Sequence, residues 1–419
     1  MWPSVPCVAF LVSSVVAGSA RPKPVVSGYW ANWESAQLSP KDTPYDVLSH
    51  IDWFVAATTD SYQLDLGGPQ METDLKNLIQ RAHKKKKTVS MAVGGWTGSR
   101  YFSTLVANAT GRLAYANSMK SYVKKFGFDG IDLDWEFPAS QGIGCNAIDV
   151  QHDSDNFLEF IKTLRKVIPT ARLSAAVSVS GVKGPDGATY NRTGELGKYL
   201  DYATIMAYDV YGPWSATTGP LGPLYSACAT SEGQGASGAD ALKIFTSKGF
   251  PARKLLLGLP TYSRPIYTTS SVLTVRTVNG ISSKFYQDVD KTRGVPPGGA
   301  ASGPGGPNVC GDIEGPSSSW TFKELISSGK LTANGTTSIA PWQRYYDQCS
   351  ASSFLFEPQS KTFIAYDDPT SFKAKAAFVK ARGMGGINMF DLAGDTRNSL
   401  LIKAARKGLV TQVRAAVVD

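Results

Sequence analysis

Nine consecutive residues, Phe128-Asp129-Gly130-Ile131-Asp132-Leu133-Asp134-Trp135-Glu136, have the composition of a buried strand and carry four carboxylates. Side chains alternate faces along a strand, so Asp132, Asp134 and Glu136 share one face while Ile131, Leu133 and Trp135 share the other. Carboxylates two residues apart lie roughly 6.5–7 Å from one another. Such a ladder is either a solvated acidic face, or calcium site, or a set of catalytic acids whose crowding drives their pKa values apart. Asp129 has the opposite parity and is expected to fix the strand end.

The elements around this stretch favour a cleft. After residue 20, short β-branched runs alternate with amphipathic patterns, the rhythm of parallel strands with crossover helices. Strands are expected at Val25 to Trp30, Val47 to Ala57, Thr88 to Val93, the acidic stretch, Leu173 to Val179, Tyr202 to Tyr208, Lys254 to Leu259 and Gly385 to Phe390. Helical spacing marks Met71–Lys86, the segment containing Tyr115, Met119, Tyr122, Val123 and Phe126, then Asp155–Val167, Ala239–Lys248, Ser371–Lys380 and Asn398–Val410. Eight strands with intervening helices fit a (β/α)8 TIM barrel, an α/β fold, better than an open doubly wound sheet. No Gly-x-Gly-x-x-Gly follows the first strand, which weakens a dinucleotide reading.

About a hundred residues, 265–364, interrupt the rhythm between the seventh strand and the last helix. They are too long for a loop and read as an inserted α+β subdomain, with the barrel made of 21–264 and 365–419. Four cysteines follow residue 20: Cys145, Cys228, Cys310 and Cys349. Three pairings are possible. Cys310 and Cys349 both lie in the insertion and are expected to pair, leaving Cys145 with Cys228.

Residues 1–20 contain no charged side chain, and their apolar run ends in small residues. They read as a cleaved signal peptide that also removes Cys7. Even cysteine usage and sequons at Asn108, Asn191 and Asn334 fit a secreted, disulfide-bonded glycoprotein. No other stretch is apolar enough for a membrane span. The net charge of +9 is scattered apart from Lys84 to Lys87, a solvated helix end, which argues against nucleic acid. The three histidines, His50, His83 and His152, have no ligand spacing, so neither metal nor cofactor is expected.

With these elements in place, the chain resembles glycoside hydrolase family 18, the chitinases. Asp129-Gly-Ile-Asp132-Leu-Asp134-Trp-Glu136 is similar to that family's D-x-x-D-x-D-x-E signature. Ser90-Met-Ala-Val-Gly94-Gly95 resembles its S-x-G-G element, widened by two residues. Met206-Ala-Tyr208-Asp209 resembles its M-x-Y-D motif, and Gly258-Leu-Pro-Thr-Tyr262-Ser-Arg264 its seventh-strand motif, with Ser263 where Gly is usual. The insertion, ending in Phe363-Ile-Ala-Tyr366-Asp367-Asp368, resembles the chitinase insertion domain.

The resemblance implies a secreted, monomeric chitinase acting on chitin and chito-oligosaccharides by a retaining, substrate-assisted mechanism, outside the usual two-carboxylate scheme. Glu136 would be the general acid, its pKa raised by Asp134. Asp134 would turn to hold the acetamido N–H, Asp132 would share a proton with it, and Ser90 and Tyr29 would satisfy Asp132. Tyr208 would align the acetamido oxygen, and Asp209 and Arg264 would hold hydroxyls. Gly95, Trp96, Met206, Trp214, Tyr262 and Phe390 complete the implied sugar-binding set, with Trp96 and Trp214 on the leaving-group side. Trp135 faces away and belongs to packing; Trp30, Trp33 and Trp53 are left unassigned.

Phe390 stands where the family usually has the Trp that floors the distorted sugar. Two other readings remain open. Lectins on the same fold typically lose the acid that Glu136 retains. Endo-acting N-glycan hydrolases share the mechanism, and the insertion, which deepens a cleft for a linear chain, argues against them.

Overall fold

The computed structural model describes residues 23–300 and 302–411. The expected signal peptide, residues 1–20 with Cys7, lies outside them. Eight parallel strands form a closed ring in the order 1-8-7-6-5-4-3-2, shut by pairing of the first strand with the second. They are Val25–Ala31, His50–Thr58, Thr88–Gly94, Gly130–Asp134, Arg172–Ser178, Tyr202–Met206, Leu255–Pro260 and Gly386–Phe390. The acidic strand is shorter than its composition suggests. It ends at Asp134, so Glu136 stands beyond the ladder, over the mouth.

The outward faces meet the helices as the alternation requires. Ile131, Leu133 and Trp135 are buried in the main core, and Trp135 stacks on Phe102 at 5.2 Å between ring centroids. The helix Pro69–Lys84 starts with a proline that needs no partner for its missing N–H, and buries Leu75, Leu78, Ile79 and Ala82. The helix Ala109–Phe126 is capped by Asn108, whose side chain accepts from the Gly111 N–H, and stops at Gly127 in the left-handed region. A short helix, Thr193–Tyr199, follows the fifth strand and was too brief to show a period. Trp30 and Trp53 are core residues at 1% and 0% exposure.

The seventh strand runs directly into a four-stranded antiparallel sheet, ordered Gln343–Asp347, Ser352–Glu357, Thr362–Tyr366, Arg264–Tyr267. Its bounds, Arg264 and Tyr366, fall just outside the expected 265–364. Phe285, Phe354, Phe356 and Phe363 form a separate apolar core there.

The disulfides correct the expected pairing. Cys145 bonds to Cys310 and Cys228 to Cys349. Membership of the insertion misled because the insertion is not closed on itself. The turn carrying Cys349 packs on the loop after the sixth strand, where the Leu224 N–H donates to the Ser350 carbonyl at 2.8 Å. Cys310 rides on a hairpin that reaches the opposite barrel loops. Peptide mapping without reduction is expected to recover Cys145–Cys310 and Cys228–Cys349 peptides. A Cys310–Cys349 peptide as the main product would contradict the fold.

Candidate active site

Strand register decides which side chains meet Asp132. Ser174 of the fifth strand lies directly beside it, and its hydroxyl donates to Asp132 Oδ1 at 2.6 Å. Tyr29, from the first strand, donates to Oδ2 at 2.9 Å. Ser90, expected as the second partner, does not reach. The widened spacing on the third strand puts Ser90 beside Gly130 and Ala92 beside Asp132, and the buried Ser90 hydroxyl makes no hydrogen bond. Ser174 has no motif around it and was missed. Below this layer Asp52 accepts from Asn388 at 2.8 Å and pairs with His50 at 2.9 Å. Asp129 accepts from the Val89 N–H at 2.7 Å and pairs with His83 at 2.9 Å, tying the strand end.

Glu136 is held through its backbone. Its N–H donates to Ser99 Oγ at 3.0 Å, Ser99 donates to the Asp134 carbonyl at 2.9 Å, and Asn146 donates to the Glu136 carbonyl at 2.7 Å. Gly94 makes this approach possible. It has φ +115°, and a Cβ there would sit 2.1 Å from the Asp134 carbonyl oxygen. The side chain of Glu136 is thus left free for chemistry while its main chain is fixed on two sides.

Burial raises all three carboxyls, because charge is costly away from water. Asp132 is pushed up to about 7 by burial and then by Asp52, against the opposing Ser174 and Tyr29 hydrogen bonds. Asp134 is raised well above the carboxylate range by burial, then by Glu136 and Asp132. Glu136 is pushed up to about 8 by burial and then by Asp209. The expectation that Asp134 raises Glu136 is therefore refined. The repulsion belongs to the pair and raises whichever group ionises second; here it falls on Asp134, and Asp209 acts on Glu136. Asp134 Oδ1 is buried without a hydrogen-bond partner. The Tyr208 hydroxyl is kept protonated by burial, then by Asp134 and Glu136, and so retains a proton to donate.

Aromatic rings surround the acids. Phe390 ends the eighth strand with its ring centroid 5.5 Å from Tyr29, 5.3 Å from Phe54, and 6.2 Å from both Tyr208 and Tyr262. Gly95 lies beneath Phe54, and a Cβ there would sit 2.8 Å from that ring. Met206 closes the sixth strand, half-buried. Asp209 accepts from Tyr262 at 2.7 Å and from Arg264 Nε at 2.9 Å, and the Arg264 guanidinium lies 5.6 Å over Trp214. Trp96 and Trp214 are 48% and 57% exposed, open to a ligand's ring faces. Trp33, 54% exposed and edge-on to Phe54 at 5.5 Å, joins them; position alone could not separate it from the buried Trp30. Among the described residues no cluster of His, Cys, Asp and Glu could hold a metal ion.

Comparison with known proteins gives the chain its family. Residues 25–395 match the profile of Glycosyl hydrolases family 18. A chitinase-like effector of Moniliophthora roreri is 31% identical over 92% of each chain. Chitotriosidase-1 of Mus musculus is 30% identical over 85% of this chain and 70% of its own. Among solved structures, a chitinase from Rhizomucor miehei superposes with a TM-score of 0.81 at 26% identity, over 92% of this chain and 100% of that one.

Proposed function

We propose that this chain, which belongs to glycosyl hydrolase family 18, is a chitinase that cleaves β-1,4 N-acetylglucosamine linkages with retention of configuration, using the substrate's own acetamido group. The observation that carries the reading is a carboxylic acid, Glu136, held protonated near neutral pH above a buried Asp132–Asp134 pair and beside open tryptophan faces. An acid with a pKa near the working pH is suited to give and later retrieve a proton.

Glu136 donates its proton to the glycosidic oxygen as the bond from that oxygen to the anomeric carbon breaks. The acetamido carbonyl oxygen closes on the anomeric carbon to give an oxazolinium ion. Asp134 Oδ1, buried and unpartnered, accepts the acetamido N–H. That N–H favours ionised Asp134, whose negative charge then offsets the positive charge developing beside it. Tyr208 donates to the acetamido oxygen and aligns it. Water then attacks the anomeric carbon, gives a proton to Glu136, and restores the acid. Two inversions at one carbon amount to retention. Phe390 and the open tryptophans supply apolar faces for the pyranose rings.

Secretion as a monomer belongs to the same proposal and is supported by the uncharged N-terminal sequence and two disulfides. The test is hydrolysis of chitohexaose followed by proton NMR within the first turnovers. The β-anomer is expected first at the new reducing end; the α-anomer first would rule out the mechanism. A second reading, binding without turnover, is favoured by Phe390 at the usual Trp position and by relatives named chitinase-like effectors. Tight chitohexaose binding with no product from the wild type would select it.

A further inference from the structure

The hairpin that carries Cys310 joins opposite sides of the barrel mouth. Its base lies at the end of the seventh strand: Ser319 donates to the Ser263 carbonyl at 2.9 Å, and the Trp320 N–H donates to Ser263 Oγ at 3.1 Å. Gly303 and Ser317 close the hairpin, the Gly303 N–H donating to Ser317 Oγ at 3.0 Å. Gly306–Pro307 then pairs with Ile313–Glu314. Asn308 shapes the tip by accepting from the Cys310 and Asp312 N–H groups at 2.8 and 3.0 Å.

The tip is fastened to the loops after the third and fourth strands. Cys310 bonds to Cys145, and Arg100 donates to the Val309 carbonyl at 3.0 Å. In the ring order, the seventh strand stands diametrically opposite the third and three places from the fourth. Strands about 4.8 Å apart and tilted by about 36° make an eight-stranded ring roughly 15 Å across. The run from Gly303 to Cys310 reaches at most roughly 25 Å, enough to cross the mouth. The hairpin does not pack down on what it crosses. Ile313 is 79% exposed and Val309 43%, while Trp96 and Trp214 stay about half open.

We propose that hairpin Gly303–Ser317 is a fixed bridge over the leaving-group half of the cleft, so that a sugar chain must enter beneath it by a free end. This rests on the chitinase reading and narrows its substrate class to chain ends and short soluble oligomers, in place of internal bonds of a packed polymer. The Cys145–Cys310 bond keeps the bridge closed.

Two variants open the bridge: Cys145→Ser with Cys310→Ser, and replacement of residues 305–315 by two glycines together with Cys145→Ser. Each is compared with the wild type on chitohexaose and on soluble polymeric chitin, by viscosity lost per reducing end formed. The ratio is expected to rise on the order of tenfold in both variants, about 1.4 kcal/mol of relieved discrimination, with chitohexaose turnover retained. A binding arm in the Glu136→Gln background uses chitohexaose with free ends and chitohexaose capped at both ends with bulky fluorophores. Capping is expected to weaken binding on the order of tenfold in the bridged protein, the same free-energy difference, and not in the open ones. Equal viscosity ratios, or equal binding of capped and free oligomer by the bridged protein, would overturn the bridge. The binding arm reads the bridge even in a protein that cleaves nothing, so its failure is distinct from failure of the proposed chemistry. Retained binding of uncapped chitohexaose shows that each variant is folded.

Discussion

Substituting Glu136 by Gln is expected to lower hydrolysis of chito-oligosaccharides by about 10²–10⁴-fold, the contribution of a positioned general acid, while chitohexaose binding is kept. The amide matches the carboxyl in shape and leaves untouched the backbone hydrogen bonds to Ser99 and Asn146 that fix the residue. It cannot release a proton to the leaving oxygen. It also removes a carboxyl that burial and Asp209 already disfavour as an anion, so the folded protein should not be weakened. The wild-type rate carries a matching signature. Because the working form of Glu136 is protonated and its pKa lies at about 8, activity should fall as pH rises through about 8. Steady-state kinetics across pH checks both statements. A Glu136→Gln protein within a few-fold of wild type would remove the acid from the mechanism.

The barrel was legible because its evidence is local. Each strand announces itself by a short β-branched run, each helix by an apolar period, and the acids by parity within one strand. Asp132, Asp134 and the core-facing Trp135 follow from that parity alone. What stayed hidden depends on pairs far apart in sequence. Ser174 meets Asp132 through strand register, and nothing near residue 174 signals it. The Ser90 expectation failed for the same reason: two extra residues before Gly94-Gly95 move the serine one same-face position down the barrel. The disulfides failed at larger scale. Cys310 lies between residues 265 and 364, but a hairpin's destination across a barrel mouth is set by tertiary packing, and no spacing rule carries it. Phe54 and Trp33 join the site for a related reason, since a mid-strand ring and the turn after a strand come together only once the ring of strands has closed.

The seam between the antiparallel sheet and the barrel makes the second large prediction. Lys375, on the helix Pro369–Ala381, is buried at 2% exposure and bonds both Asp367 and the Gly222 carbonyl in the loop after the sixth strand. The neighbouring Asp368 caps that helix, accepting from the Thr370 and Ser371 N–H groups at 2.8 and 3.0 Å, and takes the Arg344 guanidinium of the sheet, with Nε at 2.7 Å. Adjacent carboxylates thus share the seam: Asp367 takes the helix lysine, and Asp368 ties the helix N-terminus to the sheet arginine. Lys375→Met keeps the stem and removes the charge, leaving Asp367 buried without its cation and the Gly222 carbonyl to the Ser352 hydroxyl at 3.2 Å. Breaking one side of a buried pair is expected to cost about 3–5 kcal/mol of unfolding free energy, measured by urea denaturation at pH 7. The double change Lys375→Met with Asp367→Leu should recover much of that loss, since no buried charge is left behind. The pH dependence has a definite sign. In Lys375→Met, burial holds the Asp367 pKa above its unfolded value of about 3.9, so the variant loses stability as pH rises above that value and is least impaired in acid. A single variant as stable as the wild type at pH 7, or a double variant no better than the single, would show that packing and not this charge pair joins the sheet to the barrel.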